Sequence, residues 1–207
     1  MSPLGRPQHG PQHGPREAPP KELRHFPDHV VAPGAPLFRI HRAGRAPWWF
    51  SSAGSGRFDL APPRGTCYLA DDPLGAFVEV FRETHLVPEE EVRRRSLSHL
   101  TLPRPLRLAD CAARKARMFG VTAAIHSSPD FALTRAWAAA FAAAGFDGVR
   151  YLVSNDPAQR LVGYALFGDA GDAADAAAWP PGEPAAIGSD LLRAARRHFG
   201  LLVVPAP

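Results

Sequence analysis

Five side chains, taken in chain order, form a series with chemical meaning. Arg39 lies in an apolar–polar alternation, Arg57 follows a glycine- and serine-rich stretch, Tyr68 sits in a short apolar run, Glu79 falls within a helical pattern, and Ser154 follows a later apolar run. Together they can serve a dinucleotide. Cleavage of a nicotinamide–ribose bond passes through an oxocarbenium-like sugar that gains positive charge as neutral nicotinamide leaves, so a carboxylate near that sugar stabilises the transition state. Glu79 is the candidate carboxylate, although the second carboxylate of the glycosidase pattern is not evident. Arg39 and Arg57 are candidates for the pyrophosphate, because a planar guanidinium forks onto two oxygens better than an ammonium does. Tyr68 offers a flat ring for the nicotinamide, and the Ser154 hydroxyl can orient the ribose or the carboxamide.

Residue type and spacing alone leave an ordinary alternative open at each position. Arg39 and Arg57 also fit a solvated surface, and Tyr68 fits core packing. Glu79, with Arg82 and Glu83 one turn away, also fits a solvated helical face. Ser154 beside Asn155-Asp156-Pro157 also fits simple turn chemistry.

The elements that must position these residues can be read from periodicity. Leu37-Phe38-Arg39-Ile40-His41-Arg42 alternates as a half-buried strand does, and Ser51 to Phe58 reads as a loop whose glycines let backbone approach a ligand. Thr66 to Ala70 reads as a buried strand. Asp72 then caps a helix with Pro73 in its first turn, and Leu74, Phe77, Val78 and Phe81 make its apolar stripe. Leu97 to Leu108 predicts one or two strands interrupted by Pro103 and Pro105, which suggests a sheet edge. Asp110 is the expected cap of a short basic helix through Met118, and Asp130 opens a longer one that stops at Gly145. Val149–Val153 and Leu161–Phe167 are expected to be paired strands, and Ser189 to Phe199 a basic amphipathic helix. Strands and helices without regular βαβ alternation point to an α+β fold.

Composition narrows the remaining classes. The 207 residues suit one domain; 23 prolines and 18 glycines are many, and the prolines crowd the first forty residues and the stretch from Trp179 to Pro184. Residues 1–35, with the repeat Pro7-Gln8-His9-Gly10 and Pro11-Gln12-His13-Gly14, are expected to be a disordered tail; 36–169 form the domain, and 170–207 form a linker and C-terminal helical extension. Proline and glycine disfavour a helical metal site at His9 and His13 or at His25 and His29, so no metal is expected. A formal charge of +4 favours anionic ligands, yet the arginines are scattered and Trp48, Trp49 and Phe50 adjoin no basic stripe, so direct nucleic-acid binding is not expected. Cys67 and Cys111 form no CxxC pair, and neither a secretory layout nor a long apolar run is visible; a soluble cytoplasmic protein is the expectation. GxGxxG after a strand, GxxxxGK[ST], GxSxG and HExxH are all missing, which removes the classes those motifs mark.

The combination Leu37-Phe38-Arg39-Ile40-His41-Arg42, Gly56-Arg57-Phe58-Asp59, Tyr68-Leu69-Ala70 and Glu79-Val80-Phe81 resembles the RES domain family. The likeness continues through Gly145-Phe146-Asp147-Gly148-Val149-Arg150-Tyr151, Ser154 and Leu166-Phe167-Gly168. The arginine, glutamate and serine that name the family look like Arg39, Glu79 and Ser154. The resemblance implies an ADP-ribosyltransferase-like mixed sheet with flanking helices, and NAD+ as substrate without a further cofactor. It implies phosphorolysis or hydrolysis of NAD+, so inorganic phosphate is a possible second substrate, and a toxin neutralised by a helix-turn-helix antitoxin. In some members ADP-ribose passes to a protein instead, and a non-catalytic nucleotide-binding module is a further alternative. Phe58 and Asp59 depart from the tryptophan and asparagine often found there; a carboxylate near an anionic ligand is unfavourable unless it points away or meets an arginine.

Overall fold

In chain order the strands are β1 (Asp28–Val31), β2 (Leu37–Arg42), β3 (Trp49–Phe50), β4 (Arg64–Ala70), β5 (Leu86–Pro88), β6 (Arg95–Leu100), β7 (Leu106–Asp110), β8 (Gly148–Leu152), β9 (Val162–Asp169), β10 (Gly171–Asp172), β11 (Pro184–Ala186) and β12 (Leu202–Val204). The helices are α1 (Pro73–Val80), α2 (Glu89–Arg93), α3 (Ala124–Ser127), α4 (Phe131–Ala143) and α5 (Ser189–Phe199), with a 3₁₀ segment over Arg114–Phe119. The computed structural model describes residues 19–81 and 85–205. The repeat holding His9 and His13, and the Arg82 and Glu83 neighbours of Glu79, lie outside the described residues.

Eight strands form one mixed sheet in the order β1-β7-β8-β9-β4-β2-β6-β11. Only β7 and β8 run parallel; every other neighbouring pair is antiparallel. This is the α+β architecture expected, with helices flanking a large mixed sheet. Strand β9 lies inside it and is buried on both faces. Its alternate residues divide accordingly. Ala165 and Phe167 pack with Phe58, Trp137 and Phe141 beneath α4. Val162, Tyr164 and Leu166 pack with Leu37, Cys67, Leu106 and Leu108 on the other face.

The helices follow local chemistry. Asp130 accepts the N–H groups of Ala132 and Leu133 and so caps α4, whose inward stripe is Thr134, Trp137, Ala138 and Phe141. Gly145, at φ +80°, takes the left-handed conformation that ends the helix cheaply. In α1, Asp72 Oδ1 accepts the Leu74 N–H at 2.6 Å and proline occupies the first turn, as expected. Gly75 to Val78 face inward, and Leu191, Leu192 and Phe199 of α5 join the same apolar cluster.

Four expectations need correction. Residues 19–35 are not a disordered tail: β1 pairs with β7, and Leu23 and Phe26 enter the core, the Phe26 ring lying 4.7 Å from that of Phe141. Leu23, Phe26 and Val31, set among the prolines, supply apolar burial. Nor is the stretch after residue 169 a linker, since Trp179 packs on Trp48 and Phe50, β11 pairs with β6, and β12 pairs with β5. Pro103 and Pro105 do not mark an edge. They fall in the connection between β6 and β7, which lie far apart in the sheet and each have partners on both sides. Finally, the basic helix expected from Asp110 is the 3₁₀ segment at Arg114–Phe119, because the Asp110 carboxylate accepts from Arg150 and Ala112 instead.

Candidate active site

Strands β2 and β4 are paired at one position, Phe38 opposite Ala70. Beyond it they part, so Arg39 and Ile40 no longer ladder with Leu69 and Tyr68. A cavity of about 110 Å³ lies here, and its lining includes Arg39, Ile40, Tyr68, Glu79, Val80 and Tyr151. Three of the five residues singled out in the sequence, Arg39, Tyr68 and Glu79, therefore meet around one space.

Each is held differently. The Arg39 guanidinium donates through Nη1 to the Pro47 carbonyl and to Cys67 Sγ, the latter at 3.0 Å. Burial pushes the Cys67 thiol up, against the pull of Arg39, so Cys67 meets the guanidinium as a neutral group. Glu79 is half-buried in the last turn of α1, just after the inward-facing Gly75–Val78 segment. The Tyr68 hydroxyl donates to Asp59 Oδ1 and accepts the Phe58 N–H. Burial first, and then the Asp59 carboxylate, hold that phenol well above its usual range, so it stays protonated.

Asp59 resolves the question its departure raised. Its carboxylate is turned into the protein, 3 % exposed, and accepts from Tyr68, from the Gly56 N–H at 3.0 Å and from Ser51 Oγ at 3.3 Å. Gly56 is required by this arrangement, since a Cβ there would stand 2.3 Å from Asp59 Oδ1 and 2.4 Å from the Tyr68 hydroxyl. The glycine-rich loop is thus wrapped around a carboxylate.

Arg57 does not join that lining. It is buried, donates to the Ser128 carbonyl at 2.6 Å and lies over the Phe131 ring at 5.0 Å, so it ties the loop to the start of α4. Its charge also acts on His126, whose pKa is lowered to about 4, first by burial and then by Arg57. The His126 Nδ1 accepts the Leu152 N–H at 3.3 Å, as the neutral ring requires. Ser154 begins the turn after β8 and is also outside the cavity lining. That turn is organised by Asp156, which accepts the N–H groups of Ala158, Arg160 and Leu161 at 3.0, 2.6 and 2.9 Å. Burial opposes its ionisation, but these donors win and hold its carboxyl below the usual range.

Tyr151 is the lining residue that sequence reasoning passed over. It lies opposite Gly163 in the β8–β9 ladder, where a Cβ would sit 2.3 Å from its ring, and its ring centroid is 5.1 Å from that of Phe58. A glycine inside the otherwise apolar run Leu161–Phe167 was the available signal, since it marks a close approach by a neighbour.

Among the described residues, no helix is long and apolar enough to cross a membrane, and no three His, Cys, Asp or Glu side chains gather as a metal site would need. No curated protein matches the chain. Among solved structures, the chain is similar to one in the crystal structure of the M. tuberculosis MbcT–MbcA toxin–antitoxin complex, with 20% identity and a TM-score of 0.55, over 67% of this chain and 76% of that one. That likeness is one of fold. A family model described as RES domain matches residues 36–201, past the boundary at 169 expected from the sequence. The chain belongs to the RES domain family.

Proposed function

We propose that this protein is an NAD+-consuming enzyme that cleaves the nicotinamide–ribose bond and passes ADP-ribose to phosphate or water, with no cofactor beyond the NAD+ it consumes. The observation that carries this reading is the shared cavity: a carboxylate, Glu79, lines the same small space as the Arg39 side chain and two tyrosines, Tyr68 and Tyr151.

The chemistry follows from the parts. As the bond between the ribose C1 and the nicotinamide nitrogen breaks, its electron pair leaves with the nicotinamide and positive charge spreads over C1 and the ring oxygen. The Glu79 carboxylate stabilises that charge in a small space where water screens poorly. An oxygen of phosphate or water then bonds to C1, giving ADP-ribose phosphate or, with loss of a proton, ADP-ribose. Tyr68 spends its hydroxyl on Asp59 and Phe58, which leaves its ring for contact with nicotinamide. Arg39 takes the pyrophosphate, Ser154 orients ribose or carboxamide from the turn three residues beyond Tyr151, and Arg57 supports the site by fixing the loop that carries it.

The similar solved structure is, by its title, a toxin–antitoxin complex. By that analogy we read this chain as a toxin restrained by an antitoxin protein; the resemblance of its motifs adds that the antitoxin is of helix-turn-helix type, and the sequence reading adds a cytoplasmic location with no role for a membrane or for direct nucleic-acid binding. The deciding experiment incubates the purified protein with NAD+, with and without inorganic phosphate, and follows nicotinamide release with the mass of the other product. Release establishes the reaction, and the mass names the acceptor. No release in either buffer overturns the proposal.

A further inference from the structure

A cavity of about 110 Å³ admits a single ring, well short of the roughly 300 Å³ and more of ordinary small-molecule pockets. A dinucleotide must therefore extend beyond it. Arg39 also lines a second and larger pocket, of about 350 Å³, with His41, Arg42, Arg45, Ala46 and Trp49. This guanidinium is the residue the two spaces share.

The second pocket has the composition of a nucleotide site. Three arginines face it and its described lining holds no carboxylate. The turn after β2 brings two of them together: the Arg45 N–H bonds back to the Arg42 carbonyl, and Gly44 lies at φ +76° between them. His41 is buried beneath, with Nε2 2.9 Å from Ser98 Oγ, and burial first lowers its pKa, so it adds a neutral polar floor.

Trp49 is the residue that folding does not explain. Its neighbours on either side face inward. Phe50 is 1% exposed, and Trp48 is 3% exposed, packs on Trp179 and donates its indole N–H to the Pro180 carbonyl at 2.7 Å. Trp49 alternates outward and is 43% exposed. Its backbone is held by pairing with Asp172, so the ring is presented from a fixed ribbon. A large indole left beside arginines is a platform for a flat ring that carries phosphate.

We propose that this pocket binds the adenosine-5′-phosphate half of NAD+: adenine stacks on Trp49, Arg42 and Arg45 meet the adenosine phosphate, and Arg39 holds the pyrophosphate where the chain of the dinucleotide turns into the smaller cavity. The proposal rests on the reading of the chain as an NAD+-cleaving enzyme. Its test can fail separately from that reading.

The full chain is titrated with AMP by calorimetry, and NAD+ cleavage is measured alongside, with AMP as inhibitor and with nicotinamide mononucleotide as a substrate lacking the AMP half. Trp49→Ala and Arg45→Ala should each weaken AMP binding about tenfold or more, within the range that base stacking and charged phosphate contacts supply. Each should raise KM for NAD+ much more than it lowers kcat, and Trp49→Phe should recover most of the loss. AMP should compete with NAD+, and nicotinamide mononucleotide should be cleaved with a far lower kcat/KM.

The pocket assignment is overturned if the wild-type chain does not bind AMP, or if Trp49→Ala changes neither AMP affinity nor KM. Non-competitive inhibition by AMP, or equal kcat/KM for NAD+ and nicotinamide mononucleotide, also overturns it while leaving the enzyme reading intact. AMP binding that depends on Trp49 in a chain that releases no nicotinamide would sink the reaction and keep the nucleotide pocket.

Discussion

The Tyr68 hydroxyl lies between Asp59 Oδ1 and the Phe58 N–H, at 2.9 Å from each. One phenol thereby fixes a strand to the glycine-rich loop, and the loop's carboxylate fixes the phenol. Asp59→Ala removes the acceptor used by Tyr68, Gly56 and Ser51 and leaves buried donors unsatisfied, at a cost of about 1–3 kcal/mol. The urea midpoint should fall accordingly. Tyr68→Phe added to Asp59→Ala should cost less than the sum of the two single changes, because both remove the same bond. Strict additivity would show that the pair is not coupled.

Glu79→Gln keeps the shape of the side chain and deletes its charge. Since α1 buries Gly75 to Val78 and leaves Glu79 only half-buried, the thermal midpoint should stay within a degree or two of wild type, at roughly ±0.5 kcal/mol. Nicotinamide release should fall by about a hundredfold or more, as when other transition-state charge partners are removed. A mutant that folds and turns over at the wild-type rate would remove Glu79 from the mechanism.

His126 makes stability depend on pH. Its folded pKa is about 4 against 6.5 for an exposed histidine, so below pH 6.5 the unfolded chain takes up a proton that the folded chain refuses. Its contribution is complete above pH 6.5 and is lost as pH falls from 6.5 towards 4. The full gap corresponds to roughly 3 kcal/mol at about 1.4 kcal/mol per pH unit. Asp156, with its carboxyl held low, acts in a separate window: its stabilisation is present above its unfolded value of 3.8 and is lost only as pH falls below that. Unfolding free energies between pH 7 and 4.5 should slope downward with acid in the wild type and be flatter in His126→Gln. Equal slopes would exclude His126 as the cause.

Asp156→Ala should loosen the turn that carries Ser154. The Ala158, Arg160 and Leu161 amides lose their common acceptor, so their hydrogen exchange should quicken by about tenfold or more, while Leu166 in β9 changes little. If Ser154 orients the substrate, kcat/KM falls in the same mutant. Loosened amides with unchanged kcat/KM would deny Ser154 that role.

The parts of the fold legible in the sequence were those written by local rules. The caps at Asp72 and Asp130, the stop at Gly145 and the pairing of β8 with β9 each depend on residues close in the chain. Arg39, Tyr68 and Glu79 carried enough local pattern to be singled out, but only the parting of β2 from β4 brings them together, and that is a property of the whole sheet. Tyr151 and Asp59 acquire their importance from neighbours distant in sequence or folded across a loop, namely Gly163 for the first and Tyr68 for the second. Prolines misled most. Read alone they suggest a tail, a linker and an edge, whereas Phe26 and Trp179, each next to a proline, are packed by aromatic partners more than ninety positions away.

Strands β1 and β11, which lie beyond the motif-bearing stretch at its two ends, form the outermost rails of the eight-stranded sheet. A fragment cut to residues 36–169 would keep every proposed catalytic side chain yet strip both rails. The bare backbone of β7 and β6 would then face solvent with unpaired amides and carbonyls, a template for strand-to-strand aggregation. Anyone expressing the minimal motif should expect inclusion bodies for this reason.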